Sequence, residues 1–219
     1  MTTIAITGVA GGLGRRLLAR LDADPSVTRV VGIDRISPSS AGPKLDFHRI
    51  DVREIAATIA LATADAVVHL AFARSGSDRR SINIEGTRAV VEAVSAAGAA
   101  RLVFGSTAMV YGARPDNDVP LTEVSPLRPP EEFDDMAQII EAETLARKAG
   151  NVVVLRFAHV VGPTVDGELM RLLSSPRFLT IKGYSPPIQV VDEDDAAAAL
   201  HAACGRLARA TTTLPPMDG

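Results

Sequence analysis

The sequence is short of the residue types on which several classes of function depend. It has no tryptophan and only 4% aromatic residues, which is too few for the stacking surfaces that hold single-stranded nucleic acid. Its single cysteine, Cys204, excludes an internal disulfide and is compatible with a reducing compartment. It also lacks an excess of one charge, because 23 basic and 26 acidic residues give a net charge of −3. We therefore expect no nucleic-acid partner.

Long hydrophobic runs are missing as well. No apolar stretch approaches the roughly 20 residues that a membrane-spanning helix needs, and no signal-peptide pattern precedes the first apolar run. We therefore expect a cytoplasmic protein without membrane contact. We also predict no metal site.

What the sequence does contain is an alternation of apolar runs and helix-like segments. With 219 residues, 47% of them hydrophobic, the chain can bury the core of one α/β domain. The apolar runs are continuous, as expected of strands that a parallel sheet buries on both faces. Strands are predicted at 3–7, 27–33, 47–52, 66–71, 102–106 and 152–157, and helices at 13–21, 81–97, 131–149 and 192–209. This order predicts an α/β fold with a doubly wound, Rossmann-type parallel sheet.

Two segments interrupt the alternation. Residues 112–130 are rich in proline and polar residues, and residues 158–190 contain an irregular, proline-bearing stretch. We expect both segments to form a small lobe on the single domain of residues 1–219.

A glycine-rich turn follows the first predicted strand. Gly8, Gly11 and Gly14 form the pattern G-x-x-G-x-x-G, and Gly12 adds a fourth glycine. Glycine lets backbone N–H groups approach a pyrophosphate closely, and the helix that follows directs its positive end at that anion. Because the pattern lies between a strand and a helix, it indicates a dinucleotide site rather than an ordinary turn with a helix cap.

Asp34 follows the second predicted strand, 20 residues after Gly14. At this place a carboxylate accepts hydrogen bonds from the hydroxyl groups of the adenosine ribose. Asp34 would repel a 2′-phosphate and so favours NAD(H), but the adjacent Arg35 could offset part of that repulsion. The sequence therefore leaves both NAD(H) and NADP(H) open as the cofactor.

Seven short motifs, in order along the chain, resemble those of the extended short-chain dehydrogenase/reductase family, which includes NAD-dependent sugar epimerases and dehydratases. They are GVAGGLG from Gly8, DVR from Asp51, VHLA from Val68, NIEGT from Asn83, STAMVYG from Ser106, RFAHVVGP from Arg156 and QVVDEDD from Gln189. The resemblance implies a Rossmann fold and a substrate lobe that is reduced relative to the family. It implies that the cofactor is bound by Gly8, Gly11, Gly12, Leu13, Gly14, Asp34, Arg35, Asp51, Val52, Leu70, Ala71, Phe72, Ala73 and Asn83.

The catalytic Tyr-x-x-x-Lys pair of that family is absent. In the family, the tyrosine transfers the proton at the reacting oxygen, and the lysine lowers the tyrosine pKa and holds the nicotinamide ribose. An alignment on residues 141–143 puts Asp135 and Ile139 at the two positions, and a shift of two residues puts Phe133 and Ala137 there. Neither alignment restores the pair.

Three other residues are candidates for catalysis. The resemblance puts Thr107 where the family has a hydroxyl that polarises the substrate oxygen, with Ser106 as the neighbouring option. His159 replaces an asparagine that faces the substrate in the family, and an imidazole can donate a proton near neutral pH. The alternatives are that Thr107 is a turn residue and that His159 is an ordinary loop residue.

These features support three hypotheses for function. The chain resembles the tyrosine-less, angucyclinone (simocyclinone-type) ketoreductases of aromatic polyketide antibiotic pathways, so the first hypothesis is an atypical NAD(P)H-dependent ketoreductase of an aromatic, polyketide-like ketone. The second is a non-catalytic NAD(P)-binding sensor or partner-binding module. The third is a sugar-nucleotide epimerase with a different proton path, which the small lobe disfavours. A monomer and a homodimer both fit the sequence.

Overall fold

The strands form one six-stranded parallel sheet and one short two-stranded ladder. The structure is a computed structural model, and it describes residues 2–97, 101–129, 134–165, 167–177, 183 and 188–205. The strands are β1 (Thr2–Thr7), β2 (Val27–Asp34), β3 (Leu45–Arg49), β4 (Ala66–His69), β5 (Arg101–Thr107), β6 (Val152–Phe157), β7 (His159–Val161) and β8 (Val190–Asp192). The large sheet has the order β3-β2-β1-β4-β5-β6. This order confirms the predicted α/β fold with a doubly wound, Rossmann-type sheet.

Helices cover both faces of the large sheet. They are α1 (Gly12–Ala23), α2 (Ile55–Leu61), α3 (Arg79–Ala96), α4 (Asp134–Ala146), α5 (Glu168–Leu173) and α6 (Glu193–Cys204), with short 3-10 turns at Ala108–Tyr111 and Arg147–Ala149. Residues of α1 and α6 pack on one face of the sheet, and residues of α2, α3 and α4 pack on the other.

Each face of the sheet buries its own hydrophobic cluster. Ala5 of β1 belongs to the cluster under α2, α3 and α4, whereas its neighbours Ile4 and Ile6 belong to the cluster under α1 and α6. Full burial of a side chain such as isoleucine contributes about 1.5–3 kcal/mol. Both faces therefore select apolar residues, and this is why the strand runs are continuous in the sequence.

Two predicted strands differ from the observed ones by more than one residue at an end. The run predicted at 66–71 ends earlier, because the ladder between β1 and β4 ends at the pair Thr7 and His69. The run predicted at 47–52 is shifted to Leu45–Arg49, because Asp51 already belongs to a turn in which its carbonyl accepts the Glu54 N–H. In both places the residues beyond the strand end become free to line a cleft.

The helix predictions agree with the structure except at their ends. The helix predicted at 131–149 spans Asp134–Ala146 among the described residues and continues into a 3-10 turn. The helix predicted at 192–209 starts one residue later, because Asp192 is its N-cap, and it runs to Cys204. Residues 131–133 and 206–209 lie outside the described residues.

The sequence did not predict α2, α5 or the parallel β7–β8 ladder. In α2, Ile55 and Ile59 are 74% and 65% exposed, while Ala57 and Leu61 are buried. Its apolar residues therefore do not mark one buried face, which removes the usual signal for an amphipathic helix.

The predicted small lobe is only partly covered by the structure. His159 pairs with Val190 in the β7–β8 ladder, but residues 130, 166, 178–182 and 184–187 lie outside the described residues. The division into one domain with a lobe at 112–130 and 158–190 therefore stays a prediction. Across the described ranges, no helix is long and apolar enough to cross a membrane.

Candidate cofactor site and its catalytic end

A cleft of about 280 Å³ lies at the carboxyl ends of the central strands. It is lined by ten of the residues that the sequence predicted for the cofactor: Gly8, Gly11, Asp34, Arg35, Asp51, Val52, Leu70, Ala71, Phe72 and Ala73. Four isoleucines complete the lining, namely Ile33, Ile36, Ile50 and Ile82. Open α/β sheets bind their ligands at this end of the strands.

In the glycine-rich turn after β1, backbone segments approach each other very closely. Gly8 has φ +77°, and a Cβ at this position would lie 2.8 Å from the carbonyl carbon of Leu70. Its N–H donates to the carbonyl of Ile33 at 2.8 Å. A Cβ on Gly14 would collide with the carbonyl oxygen of Gly8. Both glycines are therefore needed for the turn itself, before any ligand is considered.

The start of α1 suits an anion. Its N-cap is Gly11, no side chain caps the first turn, and no acidic residue lies in that turn. The first N–H groups of a helix have no partner within the helix, and the helix dipole favours a negative charge at this end. Gly12 and Leu13 lie in the same turn outside the cleft lining, and the Leu13 side chain packs on the core. For Leu13, only the backbone is left to contact a pyrophosphate.

Asp34 is half-buried at the edge of the cleft. Its Oδ2 accepts the N–H of Ala10 at 2.9 Å, and its Oδ1 accepts the N–H of Ile36 at 3.2 Å. A carboxylate has about four lone-pair sites, so each oxygen can still accept a ribose hydroxyl. The backbone contacts therefore fix the orientation of the Asp34 carboxylate but leave some of its hydrogen-bond acceptor sites available.

Arg35 and Arg53 surround the carboxylate of Asp51 on the adenine side of the cleft. The Arg53 guanidinium donates to Oδ1 of Asp51 at 2.9 Å and to Oδ2 at 2.7 Å. These hydrogen bonds from Arg53 hold the pKa of Asp51 below its usual range. The Arg35 guanidinium lies 3.9 Å from both Asp51 and Asp78. Arg35 thus pairs with these two carboxylates rather than with Asp34.

Val52 and Asn83 hold the walls of the cleft in place. Val52 is buried, and a Cβ on Gly86 would lie 2.6 Å from its Cγ1. Asn83 is 2% exposed and holds Ala73 by two hydrogen bonds, accepting the Ala73 N–H at 2.8 Å and donating to the Ala73 carbonyl at 3.1 Å. Its amide also donates to Oε1 of Gln138 on α4 at 3.1 Å. The structure therefore gives Asn83 a role in fixing the loop after β4, and sequence reasoning missed Gln138.

A buried histidine joins the two loops that line the cleft. Nδ1 of His69 lies 2.6 Å from Oγ1 of Thr7, and Nε2 lies 3.1 Å from Oγ1 of Thr87. Because the Thr87 hydroxyl donates to the carbonyl of Asn83, its oxygen accepts from Nε2–H, and Nδ1 accepts from Thr7. The ring is neutral, since burial lowers the pKa of His69 to about 3. The residues after Thr7 and His69 are Gly8 and Leu70, so both loop starts depend on this ring.

Ser106 belongs to a buried ionic network. Its hydroxyl donates to Oε2 of Glu143 at 3.1 Å, and Glu143 also accepts from Arg147 at 2.9 Å and from Arg156 at 3.1 Å. Arg156 in turn donates to the Tyr111 hydroxyl at 2.7 Å. Although burial opposes ionisation, these hydrogen bonds keep the pKa of Glu143 below its usual range. The network fixes the ends of β5 and β6 against α4.

Thr107 and His159 lie at the same end of neighbouring strands. Thr107 is paired with Phe157 in the β5–β6 ladder, and His159 follows Phe157 by two residues. Oγ1 of Thr107 accepts the N–H of Met109 at 3.3 Å, so its hydroxyl proton remains available. The structure thus brings the two candidates to one edge, while the Ser106 hydroxyl is engaged with Glu143.

The geometry of α4 favours one of the two alignments of the missing pair. Asp135, Ile139 and Glu143 are spaced by four residues and share one face of the helix, and Glu143 contacts the end of β5 through Ser106. In the other alignment, Phe133 lies outside the described residues and Ala137 is exposed. Asp135 and Ile139 therefore lie on the face of α4 that also carries Glu143.

The chain is similar in sequence and in structure to several known proteins. The sequence pattern of the NAD dependent epimerase/dehydratase family matches residues 4–181. An uncharacterized protein of Mycobacterium tuberculosis is 33% identical over 91% of the chain and 58% of that protein. A UDP-glucose 4-epimerase of Oryza sativa is 30% identical over 76% of the chain and 52% of that enzyme. The Bordetella bronchiseptica enzyme WbmH, solved in complex with NAD+, has a TM-score of 0.75 and 26% identity over 93% of the chain and 72% of that structure.

These similarities test several sequence predictions at the level of the family. The matched family is NAD-dependent, which confirms the prediction of a nicotinamide dinucleotide cofactor at that level and the resemblance to the extended dehydrogenases. The chain spans about 58% of the length of the first curated relatives. The narrower resemblance to polyketide ketoreductases stays a prediction.

Proposed function

The chain belongs to the NAD-dependent epimerase/dehydratase family, and from that premise we propose that it is an NAD(H)-dependent oxidoreductase that reduces a ketone without a Tyr–Lys pair. The cleft is the observation that carries the proposal. Gly8, Gly11 and Asp34 line one continuous space together with Asp51 and Phe72. A glycine turn, an uncapped helix start and an oriented carboxylate are together the features that a dinucleotide requires.

The described cleft fits the adenosine half of the cofactor. Asp34 binds the ribose hydroxyls, Ile36 and Ile50 form apolar walls for the adenine, and the start of α1 faces the pyrophosphate. Because β1 is flanked by β2 on one side and β4 on the other, the nicotinamide half extends over β4, β5 and β6. Bound NADH supplies the hydride.

Two side chains of this end serve the substrate in the proposal. The Thr107 hydroxyl donates a hydrogen bond to the ketone oxygen, since its own oxygen is occupied by the Met109 N–H. His159 begins β7, two residues after the end of the neighbouring strand β6, and acts as the proton donor for the developing alkoxide. Ser106 holds Glu143 and through it the position of Thr107.

An aromatic, polyketide-like ketone is the substrate class that we propose. A phenol next to the carbonyl can form an internal hydrogen bond to the ketone oxygen and so replaces the missing tyrosine. The site then has to supply orientation, and the effective molarities of oriented groups correspond to about 7–11 kcal/mol of the barrier. A flat ketone also suits a small substrate lobe.

Two other functions each have a specific observation in their favour. The identity of 30% with a UDP-glucose 4-epimerase of rice favours a sugar-nucleotide epimerase or dehydratase. Ile139 favours a non-catalytic NAD(P)-binding module, because an alkyl side chain at the lysine position cannot hydrogen-bond the nicotinamide ribose. Both alternatives keep the same cofactor cleft, so they differ from the main proposal only in the chemistry beyond it.

Isotope transfer separates the three functions. NADH and NADPH deuterated at C4 on either face are incubated with the protein and a panel of aromatic polyketide ketones and UDP-sugars, and mass spectrometry follows the label. We expect deuterium on the carbonyl carbon of a ketone, from one face of NADH, and no transfer by a Gly11→Arg variant. In a parallel incubation with NAD+, formation of an epimeric UDP-sugar supports the epimerase instead, and NADH binding without any product supports the non-catalytic module.

A further inference from the structure

We propose that Glu193 is a positioning residue, which fixes the loop of residues 162–165 across the first turn of α1 and thereby shapes the nicotinamide half of the site. This inference rests on the proposed function, because it needs a dinucleotide in the cleft. Glu193 itself begins α6 and lines no part of the described cleft.

The Glu193 carboxylate joins three elements through four hydrogen bonds. Its Oε1 accepts from Nε of Arg16 on α1 at 2.8 Å and also from Nη2 of the same residue. Its Oε2 accepts from the Thr164 N–H at 3.1 Å and from the Thr164 hydroxyl at 2.6 Å. Both carboxylate oxygens are therefore fully used, and the side chain is only 1% exposed.

Burial of the Glu193 carboxylate is not explained by stability alone. A buried charge loses its hydration, and well-packed apolar residues in place of a buried ion pair are often as stabilising or more so. Here the Glu193 side chain is 1% exposed and the Arg16 side chain 32% exposed. What the pair does provide is a fixed direction, because a carboxylate that accepts from two different elements holds both in one geometry. Glu193 thus fixes Thr164 relative to Arg16.

Two glycines show how closely the loop is enclosed. A Cβ on Gly162 would collide with the Glu193 side chain, and a Cβ on Gly12 would lie 2.5 Å from the carbonyl oxygen of Thr164. The loop therefore passes between Glu193 on one side and the first turn of α1 on the other. Neither position has space for a side chain, so the separation between loop and helix is set within a narrow range.

The position of this loop puts it on the nicotinamide side. The cleft described above is lined by residues that follow β2, β3 and β4, and none of residues 162–165 lines it. The loop reaches the start of α1 from β7, which follows β6 on the opposite side of β1. A dinucleotide whose pyrophosphate lies at α1 therefore has its adenosine in the cleft and its nicotinamide ribose beside residues 162–165.

A ratio of two affinities tests the inference without a known substrate. NADH carries both halves of the cofactor, and ADP lacks both the nicotinamide and its ribose. For a Glu193→Gln variant, which keeps the shape but loses the charge, we expect the Kd of NADH to rise about tenfold and its fluorescence enhancement to fall. The Kd of ADP should stay within about twofold of the wild-type value. The control is Asp195→Asn, an exposed acid in the same helical turn, which should change neither value.

A second variant keeps the test valid if Glu193→Gln does not fold. Thr164→Val removes one donor to the carboxylate and should raise the Kd of NADH in the same direction by about threefold. If either variant is folded by circular dichroism and keeps the wild-type ratio of the two affinities, Glu193 is merely structural and the inference is overturned. A wild-type protein that binds ADP as tightly as NADH overturns it as well. A wild-type protein that binds neither ligand refutes the proposed function itself.

Discussion

The buried ring of His69 makes this protein sensitive to mild acid, and the size of the effect follows from its pKa. An unperturbed histidine has a pKa of about 6.5, whereas burial lowers the pKa of His69 in the fold to about 3. Between these two values the unfolded chain binds one more proton than the folded one. Stability therefore falls as the pH falls, by about 1.36 kcal/mol per pH unit.

The predicted loss between pH 7.5 and pH 5 is about 2 kcal/mol. This is the contribution of His69 alone, and it is regained as the pH rises to about 7.5, where the histidine is mostly neutral in both states. A His69→Gln variant has no titrating group here and loses this part of the pH dependence, although it is less stable at every pH because its packing against Phe72 and Phe104 changes.

Urea unfolding followed by far-ultraviolet circular dichroism measures the effect at pH 7.5, 6 and 5. The free-energy difference between wild type and His69→Gln should shrink by about 2 kcal/mol from pH 7.5 to pH 5. All other ionisable groups are shared by the two proteins, so their titration cancels in the difference. A His69→Asn variant should give the same result. If wild type and both variants lose stability in parallel, the ring is not held neutral by burial and the reasoning is refuted.

Three further predictions concern the turn, the ionic network and the ribose contact. Gly8→Ala should lower the free energy of unfolding by about 1–3 kcal/mol more than Gly150→Ala does. Both glycines have a positive φ, but of the two only Gly8 has backbone atoms within reach of a Cβ. Equal shifts of the urea midpoint in the two variants would contradict this prediction. Glu143→Gln should lower the free energy of unfolding by about 3–5 kcal/mol, because two arginines lose a buried partner. Glu141→Gln, in an exposed pair with Arg80, should lower it by less than about 1 kcal/mol. Thermal unfolding of the two variants measures the difference. Asp34→Asn should weaken NADH binding about tenfold in a fluorescence titration, and an unchanged Kd would show that the ribose lies elsewhere.

The features that the sequence predicts well are those whose cause is local. A strand buried on both faces needs apolar residues at every position, so the runs at β1, β4 and β5 are visible without knowledge of their neighbours. The glycine turn is equally visible, because its glycines lie at short spacings directly between β1 and α1. Asp34 follows from the same logic, since it lies at the end of the next strand.

Residues that act through distant partners are not visible in the same way. His69 binds Thr7 across 62 positions of the chain, Asn83 binds Gln138 across 55, and Arg16 binds Glu193 across 177. A polar residue within an apolar run predicts burial, but its partner depends on which strands and helices become neighbours. The sequence therefore marked Asn83 as a cofactor residue, whereas the structure shows it holding the loop that lines the cleft.

The helix α2 shows a different limit. Its first apolar residues, Ile55 and Ile59, face solvent, and its buried contacts come from Ala57 and Leu61. The pattern of hydrophobicity is then out of phase with the actual burial. Contacts of this segment with α3 and the sheet stabilise it as a helix.

The cofactor cleft and the lost Tyr–Lys pair depend on different parts of the fold, and this separation explains how one can be kept without the other. The cleft is built from the ends of β1, β2 and β4, fixed by His69 and Asn83. The pair would lie on α4 at Asp135 and Ile139, and the position of α4 is fixed by Glu143 and its contacts to Ser106 and Arg156. Neither Asp135 nor Ile139 contributes to the Glu143 network or to the cleft lining, so loss of tyrosine and lysine at these positions leaves both intact.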